Sequence, residues 1–177
     1  MHFLKIYFDT IIRYDLINKF TYSNSRLLPR FSKVILSLSR KSSNLKDLIA
    51  MTLFFEILSN NKISTSNIIS YKKSNVFVKI KKGYPIGCKV ILGKTKLYEV
   101  FEFLYTDILT NEKSYKPAAA TCNSLSLRIT NPIKIKELDR NYYGLFRNLP
   151  WLSVTFFTTT KTKKELIYLF KAYKLIV

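Results

Sequence analysis

The chain has 177 residues, 47% of them hydrophobic, and carries 30 Lys and Arg against 11 Asp and Glu. This length and apolar content predict one domain with a buried core, which excludes a disordered basic tail. The net charge of +19 makes a folded domain repel itself unless an anionic partner neutralises it. Nucleic acid is the first candidate for that partner, and an anionic membrane surface is the second.

Residues that usually carry enzymatic or metal chemistry are scarce. His2 is the single histidine, and Cys88 and Cys122 are the two cysteines, so neither a disulfide framework nor a structural zinc site is expected. The sequence has no phosphate-binding loop and no dinucleotide fingerprint. We therefore predict a protein that is not an enzyme and needs no cofactor. Its apolar runs are also too short for a membrane span.

The first predicted element is a helix at residues 3–20, in which apolar side chains recur at helical spacing. After a polar loop, Val34–Leu38 is an apolar run of strand length. A Ser-Ser-Asn cap then opens a helix at roughly 45–58, rich in Leu, Ile and Phe. Residues 60–75, rich in Asn, Ser and Lys, predict a loop or an irregular strand.

A β-hairpin is predicted next. Val76–Lys82 alternates apolar and basic residues, as a half-buried strand does. Gly83–Gly87 reads Gly-Tyr-Pro-Ile-Gly, which is a turn signal, and Cys88–Leu92 is then the returning strand. The most regular helical spacing in the chain follows at residues 96–109.

The last third of the chain is predicted to contain two strands and a helix. Asn111–Asn123 is polar and predicts a loop, whereas Leu125–Ile129 predicts a strand. Residues 131–150 give no clear pattern. Leu152–Thr160 is β-branched and aromatic, hence a strand, and Thr162–Glu165 is a capping box that opens a final helix.

This order of elements predicts an α+β fold, with helices packed on one face of a mostly antiparallel sheet. No composition break marks a second domain, so residues 1–177 are expected to form one. Residues 1–92 hold the N-terminal helix, first strand, second helix and hairpin. Residues 93–177 hold a helix, a variable region at 110–150, a strand and the C-terminal helix.

Basic residues cluster on and beside the predicted hairpin. With Phe77 interleaved, this face is suited to contact phosphates and to stack a base. The alternative is an edge strand that its lysines protect from aggregation. The high net charge favours RNA. The hairpin cluster consists of Lys72, Lys73, Lys79, Lys81, Lys82 and Lys89.

Two further basic groups flank other elements. The group that brackets the first strand consists of Arg26, Arg30, Lys33, Arg40 and Lys41. The group near the C-terminus, which is interpreted as a solvated helix face, consists of Lys161, Lys163, Lys164, Lys171 and Lys174.

The segment Lys79–Val90, Lys-Ile-Lys-Lys-Gly-Tyr-Pro-Ile-Gly-Cys-Lys-Val, closely resembles a signature of the large ribosomal subunit protein five family of bacteria and organelles. Phe20–Tyr22 with Leu28–Arg30 and Lys33–Leu36 is similar to that family's opening pattern. Phe157–Thr162 and the final helix also match. The resemblance covers most of the chain except about 110–150.

The resemblance implies an α+β fold whose sheet binds 5S rRNA in the central protuberance of the large subunit. It also implies that the basic loop at Ser70–Val78 approaches the P-site tRNA, with Lys72, Lys73 and Ser74 as the candidate residues. Other implied partners are neighbouring ribosomal proteins and a small-subunit head protein at an intersubunit bridge, with no membrane. The rRNA-binding candidates are Arg26, Pro29, Arg30, Lys33, Ser37, Ser64, Phe77, Lys79, Lys81 and Lys89.

Three positions depart from the family pattern. Ser37 stands in the segment where the family has Asn-Met-Gly, Ser64 lies where it has Gly-Gln, and Ile91 replaces a Thr. The two serines can still form hydrogen bonds, but Ile91 cannot. The expected ligand is therefore a 5S rRNA, a large-subunit rRNA, or both.

The composition also bears on the location of the protein. The abundant Phe, Tyr, Ile, Asn and Lys have A/T-rich codons, which favours a reduced organellar genome. Together with this composition, the family resemblance implies a gene inside a mitochondrion and a mitochondrial ribosome. The alternatives are a plastid or the cytoplasm of a bacterium with an A/T-rich genome. The alternative function is a basic protein at a membrane surface, although residues 3–20 carry few lysines for that role.

Overall fold

A computed structural model describes residues 2–40, 45–59, 67–70, 85–104, 115–130, 132 and 143–173. The helices are α1 (Phe3–Tyr7), α2 (Arg13–Lys19), α3 (Leu45–Ser59), α4 (Lys94–Leu104), α5 (Tyr143–Phe146) and α6 (Lys163–Ala172). A π-helical turn at Phe8–Ile12 joins α1 to α2, and a 3₁₀ turn covers Ser25–Leu27. The strands are β1 (Phe31–Ser39), β2 (Asn67–Ser70), β3 (Pro85–Gly93), β4 (Tyr115–Ala120), β5 (Ser124–Ile129) and β6 (Leu152–Thr158).

The six strands form a sheet in the order β2-β3-β1-β6-β5-β4. β2 is antiparallel to β3, with Asn67 opposite Lys89 and an irregularity between Ile69 and Ser70. The start of β1 lies beside the end of β6, since the Thr159 amide donates to the Arg30 carbonyl at 2.9 Å. These pairings confirm the predicted α+β class with an antiparallel sheet.

The helix ends and strand faces follow from the local sequence. In β1 the apolar Val34, Leu36 and Leu38 are fully buried, while the residues between them are partly exposed. This alternation is the period of a strand with one buried face. At α6 the Thr162 side chain accepts from the Glu165 amide, and the Glu165 carboxylate accepts from the Thr162 amide, as the capping box predicts.

The chain divides into two compact units. The first comprises Met1–Val34, Leu92–Leu127 and Thr155–Val177, and the second comprises Ile35–Ile91 and Arg128–Val154. The boundaries fall within β1, β3, β5 and β6, so these four strands run through both units. The expectation of a single domain stays a prediction.

Aromatic packing forms the centre of the first unit. The Phe31 ring on β1 lies 5.2 Å from Phe101 of α4, 5.6 Å from Phe170 of α6 and 5.4 Å from Tyr173. Phe101 also lies 5.1 Å from Phe156 of β6. Edge-to-face and tilted ring pairs at these distances contribute beyond the area that they bury. Here the helices pack on the buried side of the strands.

The second unit has its own core around α3 and α5. The ring of Phe54 lies 5.6 Å from Phe55 and 6.3 Å from Phe146. The buried thiol of Cys88 on β3 belongs to this unit. Burial raises the pKa of that thiol, which favours an inert structural cysteine over a reactive one.

Two sequence predictions were wrong. The expected turn at Gly83–Gly87 is strand from Pro85 onward, and β3 lies between β1 and β2. The strand expected at Val76–Lys82 lies outside the described residues. The expected loop at Asn111–Asn123 contains β4, whose place at the end of the sheet tolerates its proline.

Most other elements are confirmed with small shifts. The helix predicted at residues 96–109 begins at Lys94 and is described as far as Leu104. Residues 60–75, predicted to be loop or irregular strand, include β2. In the part of the chain that the structure describes, no helix combines the length and apolar character that crossing a membrane requires.

Candidate nucleic-acid interface

In the part of the chain that the structure describes, the strands carry no acidic residue. β1, β2, β3, β4, β5 and β6 contain Lys33, Lys89, Lys116 and Arg128 but neither Asp nor Glu. Every acidic residue of the described chain lies instead on a helix or in the π-helical turn. The outward residues of β1, β3, β5 and β6 therefore present positive and neutral groups, a composition that suits a polyanion.

In the first unit, a lysine lies over an aromatic ring on this outward side. The Lys33 ammonium lies 5.0 Å from the centre of the Phe157 ring. Ser32 donates its hydroxyl to the Phe157 carbonyl at 3.1 Å, which ties β1 to β6 beside the ring. A cation beside a half-exposed ring offers charge to a phosphate and a flat face to a base.

Hydroxyl groups extend this surface of the first unit. The side-chain oxygens of Ser126 on β5 and Thr155 on β6 lie 3.0 Å apart. Both residues are half-buried. One hydroxyl donates within the pair, so the other O–H can donate to a phosphate oxygen, and both oxygens can accept from a ribose hydroxyl. Phosphate and sugar groups receive about half to two-thirds of the hydrogen bonds in protein–DNA complexes.

The segment that enters β1 holds two of the predicted arginines. The Arg30 amide donates to the Thr159 hydroxyl at 2.9 Å, and the Thr159 amide donates back to the Arg30 carbonyl. The Arg30 side chain is exposed, as is that of Arg26. Pro29 is buried between them, so it shapes the backbone rather than offering a surface contact.

In the second unit the outward residues are less basic. Ser37 of β1 and Lys89 of β3 are half-buried, Arg128 of β5 is exposed, and Ile91 is 49% exposed. The Arg128 guanidinium lies 5.1 Å from the centre of the Trp151 ring. Among the described residues no group of three or more His, Cys, Asp and Glu side chains could hold a metal ion.

The chain resembles known proteins along nearly its full length, although no family model matches it. It is 31% identical to the large ribosomal subunit protein uL5m of Reclinomonas americana over 93% of this chain and 92% of that protein. The chain belongs to the uL5 family. Identity to uL5 of Ehrlichia ruminantium (strain Welgevonden) is 31% over 92% of each protein, and to uL5 of Nitrosomonas europaea it is 25% over 97% of this chain and 95% of that protein.

Family membership confirms the resemblance drawn from the Lys79–Val90 segment. A uL5 protein is a structural protein of the large ribosomal subunit and not an enzyme. The sparse catalytic chemistry of the sequence agrees with that role. The functional site of this uL5 chain is therefore a binding surface and not an active site.

The structure places part of the predicted site in each unit. In the first unit Lys33 lies on the outward side of β1, and in the second unit Ser37 of β1 and Lys89 of β3 are outward residues of their strands. Arg26 and Arg30 are exposed where the chain enters β1. The predicted residues that fall outside the described residues are Ser64, Lys72, Lys73, Ser74, Phe77, Lys79 and Lys81.

Sequence reasoning about the site missed the outward residues of β5 and β6. These are Ser126, Arg128, Ser153, Thr155 and Phe157. The signal was available, because buried residues alternate with hydroxyl, basic or aromatic residues along both strands. The lysines of the hairpin segment form a stronger local signal than β5, which carries one basic residue, or β6, which carries none.

Proposed function

We propose that this uL5 protein binds rRNA through the outward residues of its strands and the arginines that precede β1. The observation that carries the proposal is the absence of Asp and Glu from the six strands that the structure describes. For a chain with a net charge of +19, the electrostatic attraction to a polyanion is strongest where no carboxylate repels it.

The binding mode follows from the types of side chain. Lys33 and Arg30 supply charge to phosphates, and Phe157 offers a ring on which a base can stack. Ser126 and Thr155 supply hydroxyls for backbone contacts. Because the chain has 23 Lys and 7 Arg, we expect phosphate neutralisation to dominate over base-specific reading.

The finer assignments are extensions of this proposal. The ligand is 5S rRNA, large-subunit rRNA or both, in the central protuberance. The loop with Lys72, Lys73 and Ser74 approaches the P-site tRNA, and further contacts reach neighbouring ribosomal proteins and the small-subunit head. We place the protein in a mitochondrial ribosome. The similarity to a mitochondrial uL5m supports that location, whereas other relatives are bacterial.

The first experiment measures how binding to 5S rRNA and to large-subunit rRNA depends on salt. Each phosphate contact contributes about 0.7 to 0.9 to the slope of log affinity against log salt concentration. Lys33→Gln and Lys89→Gln should each lower that slope by an amount in this range. Lys171→Gln removes the same charge from the exposed face of α6 and serves as the control.

Two outcomes of this experiment contradict the proposal. If Lys33→Gln, Lys89→Gln and Lys171→Gln all keep the slope of the unchanged protein, the two strand lysines do not contact phosphates. A larger change for Lys171→Gln moves the interface to α6.

Crosslinking followed by sequencing of the bound RNA then identifies the ligand. Ile91→Thr restores a hydroxyl at the position where the family has one, and Ile91 is exposed enough to tolerate the change. Tighter binding of 5S rRNA by this variant, with binding of large-subunit rRNA unchanged, supports 5S rRNA as the ligand of this surface. Recovery of crosslinks to large-subunit rRNA alone overturns the assignment to 5S rRNA.

A further inference from the structure

Trp151 is the single tryptophan of the chain and directly precedes β6 in the second unit. Its side chain is 57% exposed. The guanidinium of Arg128, which is also exposed, lies 5.1 Å from the centre of its ring. An arginine over an indole is a cation–π contact, and it leaves guanidinium donors free for another ligand.

The backbone on both sides of Trp151 is held in place. Arg40 donates from its guanidinium to the Asn148 carbonyl at 3.3 Å. The Leu149 amide donates to the Phe146 carbonyl at 3.1 Å. On the other side, Leu152 is fully buried at the start of β6. The indole therefore projects from an anchored backbone, which lowers the entropy cost of using it as a contact.

The charge of the segment that carries the ring favours one kind of ligand. Residues 143–158 include Arg147, which is exposed, and no Asp or Glu. A planar ring with a guanidinium beside it and no carboxylate in its own segment matches a base attached to a phosphate backbone.

We propose that Trp151 and Arg128 form a stacking platform for one unpaired RNA base, with Arg128 also contacting an adjacent phosphate. This inference rests on the proposed RNA binding and adds a preference for an unpaired nucleotide at a defined place. A paired duplex keeps its bases stacked inside and leaves none for the ring.

The test uses the intrinsic fluorescence of the full chain, because Trp151 is its single tryptophan. The probes are a single-stranded RNA of about ten nucleotides, an abasic RNA of the same length and a duplex RNA. Stacking should change the tryptophan emission with the single strand, and much less with the abasic strand or the duplex. Saturation is verified independently by the anisotropy of labelled RNA.

Variants separate stacking from charge. Trp151→Ala should weaken single-strand binding by roughly 5- to 100-fold, the range of base–aromatic stacking, while Trp151→Phe retains most of the affinity. Arg128→Gln should weaken single-strand binding more than Arg147→Gln, which removes the same charge at another exposed site. Because the Trp151 side chain is largely exposed, its variants should fold like the unchanged chain. Circular dichroism verifies their folding.

The outcomes distinguish this inference from the proposed function. If RNA binds with the expected salt dependence but the emission is unchanged, or if the abasic strand changes it equally, the platform is overturned and rRNA binding stands. Full affinity in Trp151→Ala also overturns the platform. If none of these RNAs and neither rRNA binds, both proposals fail.

Discussion

Gly87 on β3 allows the most direct test of the strand packing. A Cβ atom at this position would lie 2.8 Å from the Ser39 Cα and 3.0 Å from the Ser39 Cβ, and it would collide with the Leu38 carbonyl oxygen. All three atoms belong to β1, the neighbouring strand. The glycine is required for space, and Gly87→Ala must push β3 and β1 apart.

The cost of Gly87→Ala follows from which atoms must move. Overpacking a core by a methyl group typically costs about 1–3 kcal/mol, and here two of the three obstacles are backbone atoms that cannot rotate away. Separation of the strands also strains the adjacent hydrogen bond from the Arg40 amide to the Ile86 carbonyl, and such a bond is worth about 1 kcal/mol. We expect the free energy of unfolding to fall by about 2–4 kcal/mol.

Gly93 at the other end of β3 is the matched control. A Cβ there would meet only the Ser32 carbonyl oxygen at 3.8 Å, an ordinary contact. Gly93→Ala should therefore leave stability unchanged or raise it by up to about 1 kcal/mol, because alanine restricts the unfolded chain.

Urea unfolding, followed by far-UV circular dichroism, compares the two variants. With m-values of about 1–3 kcal/mol/M, the midpoints of Gly87→Ala and Gly93→Ala should differ by roughly 1 M or more. Midpoints that coincide, or a less stable Gly93→Ala, would refute the close approach of β3 to β1.

Three further predictions concern the first unit. Thr162→Ala removes the capping contact to the Glu165 amide and should lower the free energy of unfolding by about 1 kcal/mol, measured by thermal melting. Phe101→Ala empties the centre of the aromatic core beside Phe156 and should cost about 3–5 kcal/mol in urea unfolding. Burial and the Glu165 carboxylate raise the pKa of Tyr22 to about 12, so its contribution to stability is full below pH 10 and falls as the pH rises towards 12. Urea midpoints between pH 9 and 11.5 should fall less steeply for Tyr22→Phe.

The sequence predicts those elements whose own residues determine them. The alternation in Val34–Leu38 and the capping box at Thr162–Glu165 are local signals, and both elements appear where expected. Gly83–Gly87 misled because Gly and Pro usually mark turns, whereas Gly87 serves the close approach of two strands. The lack of space at Gly87 arises from residues of β1, so the sequence around Gly87 alone does not predict it.

β4 was missed for a related reason. Its sequence, Tyr-Lys-Pro-Ala-Ala-Ala, has weak strand propensity and an internal proline. Such a segment pairs only because β5 offers it a hydrogen-bonding edge, and a strand at the end of a sheet can leave the proline nitrogen unpaired. The element is thus determined by its neighbour, in contrast to β1.

The candidate site shows the same division between local and collective signals. Lys33 and Ser37 could be placed on one side of β1 from periodicity alone. The contact of Lys33 with Phe157 depends on β6 lying beside β1, which no local pattern specifies. Among the described residues, the segregation of carboxylates onto the helices and the π-helical turn is visible only when the strands are known. This segregation leaves the outward residues of the strands without acidic neighbours on their own strands, so the positive charge is concentrated at a surface. Substitutions of basic residues on β1 should therefore weaken RNA binding more than equal charge changes on α6.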